Sequence, residues 1–318
     1  MRRQPPQPAR GAALLTALLV VTLIATLAAA MVWQQHRALA TEAADRARTQ
    51  ATWVLSGALD WARLILREDA RANQAEPVDH LGEVWAVPLA EARLSTFLAA
   101  EGGGADADSG PDAFLSGAIT DAQARYNLAN VFRSREPDPL ELRTLQRLCA
   151  SAGLDGGSTS RLIQNLRAAS QSQNDNENAN VPLRPRSVAQ LRWLGLDERS
   201  VTRLEPWITV LPTPTPVNLN TAPREVIAAL FDGLDLASAD RIVQARSSKP
   251  FRRLEDLKPL LPEGAPLNGE RLAVNSNHFI VAGRLRLDDR VIEQRSLVRR
   301  RGLDVELMWR ERVVPAAP

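Results

Sequence analysis

The sequence predicts an α+β fold in which one long N-terminal helix packs on an antiparallel sheet, with an all-helical segment inserted into that sheet. An apolar run begins at Ala12 and continues as a one-sided helical pattern to about Ala72. Short strand-like stretches precede residue 132 and longer ones follow Asn268, whereas the residues between them have helical spacing.

Composition limits the classes of function. The 318 residues are 45% hydrophobic, which is enough for a substantial core. Lys and Arg number 39 against 37 Asp and Glu, and this balance opposes nucleic acid as the main partner, because such binding needs a concentrated positive surface. The single cysteine, Cys149, excludes an intrachain disulfide and lies on an apolar helical face, where a core role is expected.

No catalytic group can be assembled from the sequence. The three histidines, His36, His80 and His278, lie far apart, and no Ser-His-Asp, Cys-His or metal-spaced set accompanies them. We therefore expect no enzyme activity and no cofactor.

The first 33 residues predict a membrane anchor. Residues 1–10 are polar and carry three arginines, and the run from Gly11 to Trp33 has no charge and is long enough to cross a bilayer as a helix. Positive charge on the short side places Met1 in the cytoplasm and the bulk of the chain outside it. The side chains expected to form the anchor are Ala12, Leu14, Leu15, Leu18, Leu19, Val20, Leu23, Ile24, Leu27 and Trp33.

Two simpler interpretations stay open, a cleaved secretory signal that ends at Ala28-Ala29-Ala30 and a plain signal anchor. Two observations favour a third. Gly11 stands at the start of the apolar run, and the helical pattern continues beyond the membrane boundary. The one-sided stripe consists of Ala51, Leu55, Ala58, Leu59, Ala62, Ile65 and Leu66.

This arrangement resembles the class III signal of type IV pilins and pseudopilins, in which a dedicated peptidase cuts after a glycine that precedes the apolar helix. The resemblance implies cleavage between Gly11 and Ala12, with the apolar helix retained as anchor and filament core. Most pilins carry Glu as the fifth mature residue, and here that position is Thr16. K-type minor pseudopilins also lack this Glu, and the resemblance therefore implies a subunit at the filament tip.

The chain beyond the helix is predicted to begin with two short strands, Val84 to Leu89 and Ala92 to Ala100, followed by a loop from Glu101 to Pro111. The segment Ile119 to Asn130 resembles the one that leads into the helical domain of K-type pseudopilins. Its asparagines, Asn127 and Asn130, are expected to cap turns.

The helical region is predicted from short apolar periods. Gln171 to Asn180 is expected to be a mobile loop, Ser187 to cap a helix that Gly195 ends, and Leu211 to Pro216 to be an extended connector. The apolar positions that predict the helices are Leu142, Leu145, Leu148 and Cys149, then Leu162, Ile163 and Leu166, then Val188, Leu191 and Leu194, and then Val201, Leu204, Trp207 and Ile208.

The stretch from Val217 to Leu257 gives the strongest internal signal. Thr221 is expected to cap its first helix, with Pro223 and Glu225 in the first turn, and Ser238 to cap a second helix that stops before Pro250. The run NLNTAP…ADRIV…FRRLEDL resembles a helix-hairpin-helix (SAM-like) unit that recurs in K-type pseudopilins.

A DNA-binding version of that unit would expose backbone N–H groups through a Gly-x-Gly turn. Only Gly233 is present here, flanked by Asp232 and Asp235, which would repel a phosphate. A packing role is therefore favoured.

The C-terminal part returns to strands, predicted at His278–Leu287, Val291–Arg299 and Leu303–Arg312, with a hairpin turn at Asp288-Asp289. Together they would form a meander on the amphipathic half of the first helix. Among the tryptophans, Trp53 and Trp61 are expected in that core and Trp33 at the bilayer interface.

The likeness to K-type minor pseudopilins of type II secretion covers nearly the whole chain. It implies a leader (1–11), a transmembrane helix (12–33), a pilin-like part in two halves (34–132 and 262–318) and a helical insert (133–261). It further implies an inner-membrane protein with its C-terminal domain in the periplasm. The implied partners are the minor pseudopilins of the I, J and H types, the major pseudopilin and the prepilin peptidase, with no nucleic acid.

Two other functions remain open, a tip pilin of a type IV pilus or competence system and a membrane-tethered DNA-binding protein. Calcium also stays open, because some K-type pseudopilins resemble calcium binders. The oxygen-rich stretches are Asp106, Asp108 and Asp112, and Asp175 to Asn178. Neither has EF-hand spacing, so solvated loops are favoured and no metal ligand is assigned.

Overall fold

The computed structural model describes residues 10–94, 113–133, 137–171, 182–287 and 290–313. The chain divides into two compact units, Met1–Val54 and Leu55–Pro318. Helix α1, Arg10–Ala72, supplies residues to both. Its end at Ala72 confirms the predicted length of the helix.

The second unit contains one five-stranded antiparallel sheet in the order β1-β2-β7-β8-β9. Two pairs of very short parallel strands, β3 with β4 and β5 with β6, lie outside it. The strands are β1 (Leu89–Arg93), β2 (Ala113–Asp121), β3 (Tyr126–Asn127), β4 (Ile208–Thr209), β5 (Val217–Asn218), β6 (Leu272–Ala273), β7 (His278–Leu287), β8 (Arg290–Arg301) and β9 (Asp304–Val313).

The last 18 residues of helix α1 pack on this sheet, as the apolar stripe predicts. Leu59 and Leu66 lie against Phe279 and Val298, and all four side chains are buried. The approach is close at Gly283, where an added Cβ would lie 3.1 Å from Leu55. The predicted packing of a long helix on an antiparallel sheet is therefore confirmed.

Within the described residues between β3 and β7, five α-helices pack around a second and larger apolar core. Asp138 caps the first of them, with its carboxylate accepting from the N–H of Leu140 (2.8 Å) and Pro139 at the first helical position. The helices are α2 (Pro139–Ser151), α3 (Gly156–Gln171), α4 (Glu198–Leu204), α5 (Arg224–Leu230) and α6 (Leu236–Ser248), and 3-10 helices span Val84–Ala86, Ala122–Ala124, Leu128–Phe132, Val188–Leu194 and Leu254–Leu260.

The two parallel strand pairs close the helical region into two segments. Tyr126 pairs with Ile208, so the two ends of the segment 128–207 lie next to each other. Val217 pairs with Leu272, and residues 219–271 do the same. Each pair is only two residues long, and the apolar core behind it supplies the stabilisation.

The first strand prediction near residue 90 was wrong in position, and the second is mostly untested. Val84–Ala86 is a 3-10 helix, and the strand begins only at Leu89. The reason is Trp85, whose ring packs edge-on against Phe279 (centroids 5.2 Å apart) while its Nε1 donates to Glu83 (2.7 Å). The predicted strand Ala92–Ala100 overlaps β1 only at its first two residues, and residues 95–100 lie outside the described chain.

Two other kinds of prediction need correction, and three predicted loops or turns are not tested. Trp53 is 75% exposed and Trp61 is 39% exposed, so they are not core residues, because both fall off the stripe that carries Leu55 and Leu59. The helical period does not continue to Ile208, which pairs as strand β4. The predicted loops Glu101–Pro111 and Gln171–Asn180, apart from the helical Gln171, and the turn Asp288-Asp289 lie outside the described residues.

The predicted helix caps were right at one position out of four. Gly195, with φ +92°, ends the 3-10 helix Val188–Leu194, but the Ser187 side chain makes no capping bond. Asp235, rather than Ser238, caps α6, and the N–H of Ser238 donates to its carboxylate (2.7 Å). At α5 the N-cap is Pro223, and Thr221 bonds elsewhere.

Candidate functional site: the anchor helix and the junction network

The first functional element is the apolar stretch of α1. Among the described residues, one helix is long and apolar enough to cross a membrane, and its apolar stretch is not buried by the rest of the described chain. The leucines of the predicted anchor are all more than half exposed; Leu14 is 68% and Leu19 67% exposed. An apolar surface of this size requires an apolar environment that the described chain does not supply.

The three hydroxyls of this stretch are satisfied within the helix. Thr16, Thr22 and Thr26 each donate to the carbonyl oxygen three residues earlier, at 2.9 Å. A bilayer supplies no water to an unpaired donor, and so this arrangement suits a membrane position. Helix α1 begins at Arg10, which places Gly11 and Ala12 in its first turn, and cleavage between them stays a prediction.

The second element is a buried polar network, here called the junction network, where the sheet meets the helical segments. Its centre is Asp121, at the end of β2. One carboxylate oxygen accepts from Asn218 Nδ2 (3.0 Å), Thr221 Oγ1 (2.6 Å) and Ser276 Oγ (2.6 Å), and the other from the N–H of Gln123 (2.7 Å). Burial raises the pKa of Asp121 to about 6, although these hydrogen bonds oppose the rise.

The same network ties helix α1 to β8. The Arg300 guanidinium bonds Asp69 Oδ2 (2.7 Å) on the helix and Asp79 after it, and lies 4.9 Å from the centre of the Phe279 ring. Burial and the neighbouring charge of Glu83 raise the pKa of Asp69 to about 6, with Arg300 acting in the opposite direction. A single buried cation thus fixes the end of the helix on the sheet.

Two asparagines hold the connector that the sequence marked as extended. Asn127 Oδ1 accepts from the N–H of Leu211 (3.1 Å), and its Nδ2 donates to the carbonyl of Thr213 (2.8 Å). Asn130 exchanges two bonds with the backbone of Thr215, at 2.9 and 2.8 Å. The expected capping role is confirmed for Asn127, which accepts from the N–H of Ala129, and both asparagines have this second role in addition.

His278 and Cys149 are structural residues. Burial, with a contribution from the charge of Arg299, lowers the pKa of His278 to about 4, and the ring lies beside Gln123. Burial raises the pKa of the Cys149 thiol to about 11, which keeps it protonated. Neither group has the electrostatic setting of a nucleophile or general base.

The hairpin between α5 and α6 is occupied by its own side chains. Asp232 pairs with Arg147 of α2, and Asp235 accepts the N–H group of Ser238. A phosphate at this turn would meet two carboxylates and a backbone donor already in use. The geometry therefore opposes DNA binding here and supports packing of the hairpin on α2.

One group of carboxylates meets the distance requirement for a metal. Oxygens of Asp69, Asp79 and Glu83 lie within 4.8 Å of one another. Arg300 already pairs with the two aspartates, and Glu83 accepts from Trp85, Asn73 and the His80 N–H. Oxygens of all three carboxyl groups are therefore already occupied by donors of the protein itself. The acidic stretches Asp106 to Asp112 and Asp175 to Asn178 lie outside the described residues.

Sequence reasoning missed the junction network. Asp121, Asn218 and Ser276 are far apart in the chain and carry no motif that links them. The only available signal is the pair of asparagines in the NLNT run, of which Asn218 joins Asp121 and Asn220 bonds both backbone groups of Phe251.

Comparison with known proteins agrees with this architecture. Two family models, each described as type II secretion system (T2SS) protein K, match residues 124–213 and 217–275. The limits of these matches lie within a few residues of the two parallel strand pairs, so each matched segment corresponds to one closed helical segment.

Curated relatives match almost the full length. The type II secretion system protein K of Pseudomonas aeruginosa is 31% identical over 88% of this chain and 85% of its own length. The protein of the same name from Klebsiella pneumoniae is 28% identical over 92% and 93%. That of Pectobacterium carotovorum is 25% identical over 95% and 96%.

The fold is also similar to that of a chain in the crystal structure of the GspK–GspI–GspJ complex from enterotoxigenic Escherichia coli. The TM-score is 0.61 at 18% identity, over 86% of this chain and 99% of the other. The chain therefore belongs to the type II secretion system protein K family of minor pseudopilins, which are structural subunits of the secretion system and not enzymes.

Proposed function

We propose that the protein crosses the inner membrane once through Ala12–Trp33, holds its C-terminal part in the periplasm, and heads the short filament of the secretion system. The observation that carries the proposal is helix α1, whose 63 residues continue without a break from an exposed apolar stretch into a stretch packed on the sheet. Retention of this helix after removal of a leader (1–11) would leave an anchor that also serves as the filament helix.

The tip position rests on two features. Thr16 replaces the acid that filament subunits use to offset a neighbour's N-terminal ammonium, and an unpaired carboxylate in lipid would be costly. The helical insert (133–261) adds five α-helices to a pilin-like part (34–132 and 262–318). Such bulk would obstruct stacking within the filament and would be tolerated at its end, where it helps to initiate assembly and export of folded proteins.

Within the insert, α5 and α6 are assigned as the helix-hairpin-helix (SAM-like) unit in a packing role. They pack on each other and on α2, and Val226, Ile227 and Ile242 of the pair are fully buried. The unit therefore contributes to the apolar core of the insert.

Neighbouring subunits have a surface to dock on. Val84 and Val87 are 77% and 69% exposed, and they border a groove of ≈ 70 Å³ that Trp61 also lines. Large exposed apolar patches mark interaction sites. Since the E. coli K-type protein was crystallised with I- and J-type partners, we propose the same classes of partner for this chain, with the H-type and major pseudopilins next to them.

The leader can be tested in a strain that lacks its own K-type subunit. Gly11→Val blocks the expected cleavage, whereas Gly57→Ala is a matched control in the same helix, because nothing lies within 4 Å of the added Cβ. The Gly11 variant should keep its leader and fail to restore secretion into the medium. The Gly57→Ala variant should lose its leader and restore secretion normally. Normal processing and secretion of the Gly11 variant would contradict the proposal.

The docking surface is tested by co-purification with the I- and J-type subunits. Val84→Glu with Val87→Glu should reduce recovery of the partners. Leu236→Glu, at a residue 46% exposed on α6, should not. If both variants recovered the I- and J-type subunits equally well, the interface would not lie on the Val84/Val87 patch.

A further inference from the structure

A second groove lies where the helical region meets the last strand of the sheet, and its volume is ≈ 660 Å³. Two tryptophans from different elements line it: Trp193 of the 3-10 helix Val188–Leu194, and Trp309 of β9. The connector residues Val210 and Pro212 contribute to its lining. All of these residues belong to the second unit.

Large apolar side chains in this groove are exposed, although such side chains are usually buried. Trp193 is 58% exposed, and Leu183, which also lines it, is 72% exposed. Trp309 is held in place from behind, since it packs with Leu297 and Leu211. The groove thus combines a fixed indole with one that the described residues leave mostly uncovered, and such a pair is typical of a binding surface.

The charge on the groove has one sign. Arg184 and Arg186 line it, and no acidic side chain does so among the described residues. Neither guanidinium has an ion pair in the part of the chain that the structure describes, whereas arginines such as Arg147, Arg271 and Arg300 are paired. The Arg186 segment is nevertheless anchored, because its N–H donates to Gln190 Oε1 (2.6 Å).

The backbone of the lining favours an extended ligand that is bound through the side chains of the ligand and not through backbone pairing. Pro185 and Pro212 carry no N–H group, so the groove offers few backbone donors for strand addition. Aromatic and prolyl surfaces accept extended, proline-containing segments, and free guanidinium groups select carboxylates by paired hydrogen bonds.

We propose that this groove binds an extended acidic peptide segment of a partner protein. Its carboxylates would pair with Arg184 and Arg186, and its apolar or prolyl side chains would lie on Trp193 and Trp309. The proposal goes beyond the role of the anchor and does not depend on leader cleavage, because the groove lies wholly within the second unit.

The test uses the full-length chain in detergent micelles and three labelled octapeptides, in which proline alternates with glutamate, glutamine or lysine. Fluorescence anisotropy should show binding of the glutamate peptide, weaker binding of the glutamine peptide and none of the lysine peptide. Binding should weaken with added salt, since the paired charges are solvent-accessible.

Two variants locate the site. Arg184→Glu with Arg186→Glu should weaken binding of the glutamate peptide by about tenfold or more, and Trp193→Ala by about fivefold. Arg199→Glu with Arg301→Glu is the matched control, at two exposed arginines that do not line the groove, and it should leave the affinity unchanged. Circular dichroism checks that each variant is folded.

Four results would overturn the proposal, and the first three concern peptide binding. They are equal affinity for the glutamate and glutamine peptides, equal loss in the control variant, and unchanged binding in the Arg184/Arg186 variant. Self-association that this double variant abolishes, with no displacement by the glutamate peptide, would assign the groove to a second copy of the chain and would also overturn it.

Discussion

Two parts of the same helix meet two different environments. Ala13–Trp33 is apolar on every side and exposed, whereas Leu55–Ala72 is apolar on one side only, and the sheet covers that side. On the opposite side of the second part, Asp60 pairs with Arg63 and Glu68 with Arg71. The distribution of apolar side chains around a helix thus specifies whether its surroundings are lipid and other helices or one packed face and water.

The polar side of Leu55–Ala72 also contributes to the sheet. Arg63 Nε donates to the carbonyl of Val305 (2.8 Å) and Arg67 Nε to that of Leu303 (3.1 Å). These carbonyls belong to the turn before β9 and to the start of that strand, which lies at the edge of the sheet formed by the described strands. The stretch Leu55–Ala72 therefore stabilises the sheet through both its apolar and its charged residues.

The largest effect is expected from charge in the apolar part. Leu19→Arg with Leu23→Arg should raise the free energy of membrane insertion by about 5–7 kcal/mol, because each arginine near the helix centre costs about 2.5–3.5 kcal/mol. Alkaline extraction of membranes should then release most of the protein. Trp53→Arg with Leu64→Arg, at exposed positions further along the helix, should leave it membrane-bound. If the Leu19/Leu23 variant stayed fully in the membrane fraction, the two parts of the helix would not differ in environment as described.

Next in size is the loss of the cation that fixes the upper part. Arg300→Met leaves the buried carboxylates of Asp69 and Asp79 unpaired, and the free energy of unfolding should fall by about 3–5 kcal/mol near pH 8. The pKa of Asp69 is already raised to about 6 with Arg300 in place, and its folded form therefore binds a proton more tightly than the unfolded chain does.

Removal of Arg300 strengthens that preference, so the loss should be smaller at pH 5, where the Asp69 carboxyl group is mostly protonated, than at pH 8. Urea unfolding at both pH values measures the difference. A loss that does not depend on pH would show that the two aspartates are not held by this charge.

A smaller effect is expected when a leucine in each part of the helix is truncated, because the two parts differ in packing. Leu66→Ala removes a fully buried side chain and should lower the free energy of unfolding by about 2–5 kcal/mol. Leu19→Ala, at a side chain that is 67% exposed, should change it by less than about 0.5 kcal/mol. Near-ultraviolet circular dichroism during urea unfolding in detergent follows both variants. Similar losses in the two would contradict the assignment of separate environments.

The smallest effect concerns His278, at the start of β7 on the side of the sheet core. Its pKa is lowered from 6.5 to about 4, so the unfolded chain binds a proton more readily and the free energy of unfolding falls as the pH drops through this window. This contribution amounts to about 2 kcal/mol between pH 7.5 and pH 5.

His278→Gln should remove that contribution, so the variant should lose about 2 kcal/mol less than the parent between pH 7.5 and pH 5. Asp69 and Asp121 act in the opposite direction, because their pKa values are raised to about 6, and they are present in both proteins. The comparison is therefore made as a difference between the two pH profiles. Parallel profiles would show that the buried ring does not titrate in this range.

Long periodic patterns were predictable from the sequence. The end of α1, the strands β7 to β9 and the left-handed cap at Gly195 follow from apolar period, alternation and one special residue. Each of these is decided by residues close in the chain, and for this reason the sequence alone suffices.

Features decided by distant partners were not predictable. Val84–Ala86 was expected as a strand, and its buried Trp85 packs on Phe279 far along the chain. Thr221 was expected as a helix cap, but its hydroxyl donates to Asp121, one hundred residues earlier. The junction network and the two parallel strand pairs have the same origin, since their partners are brought together only by the complete fold.

The most direct test of the account is the N-terminal sequence of the protein extracted from membranes, with and without the prepilin peptidase. The account predicts a chain that starts at Ala12 only when the peptidase is present, and that stays membrane-bound in both cases. A water-soluble product that starts just past Ala30 would contradict it, because the apolar part of α1 would then be a discarded signal.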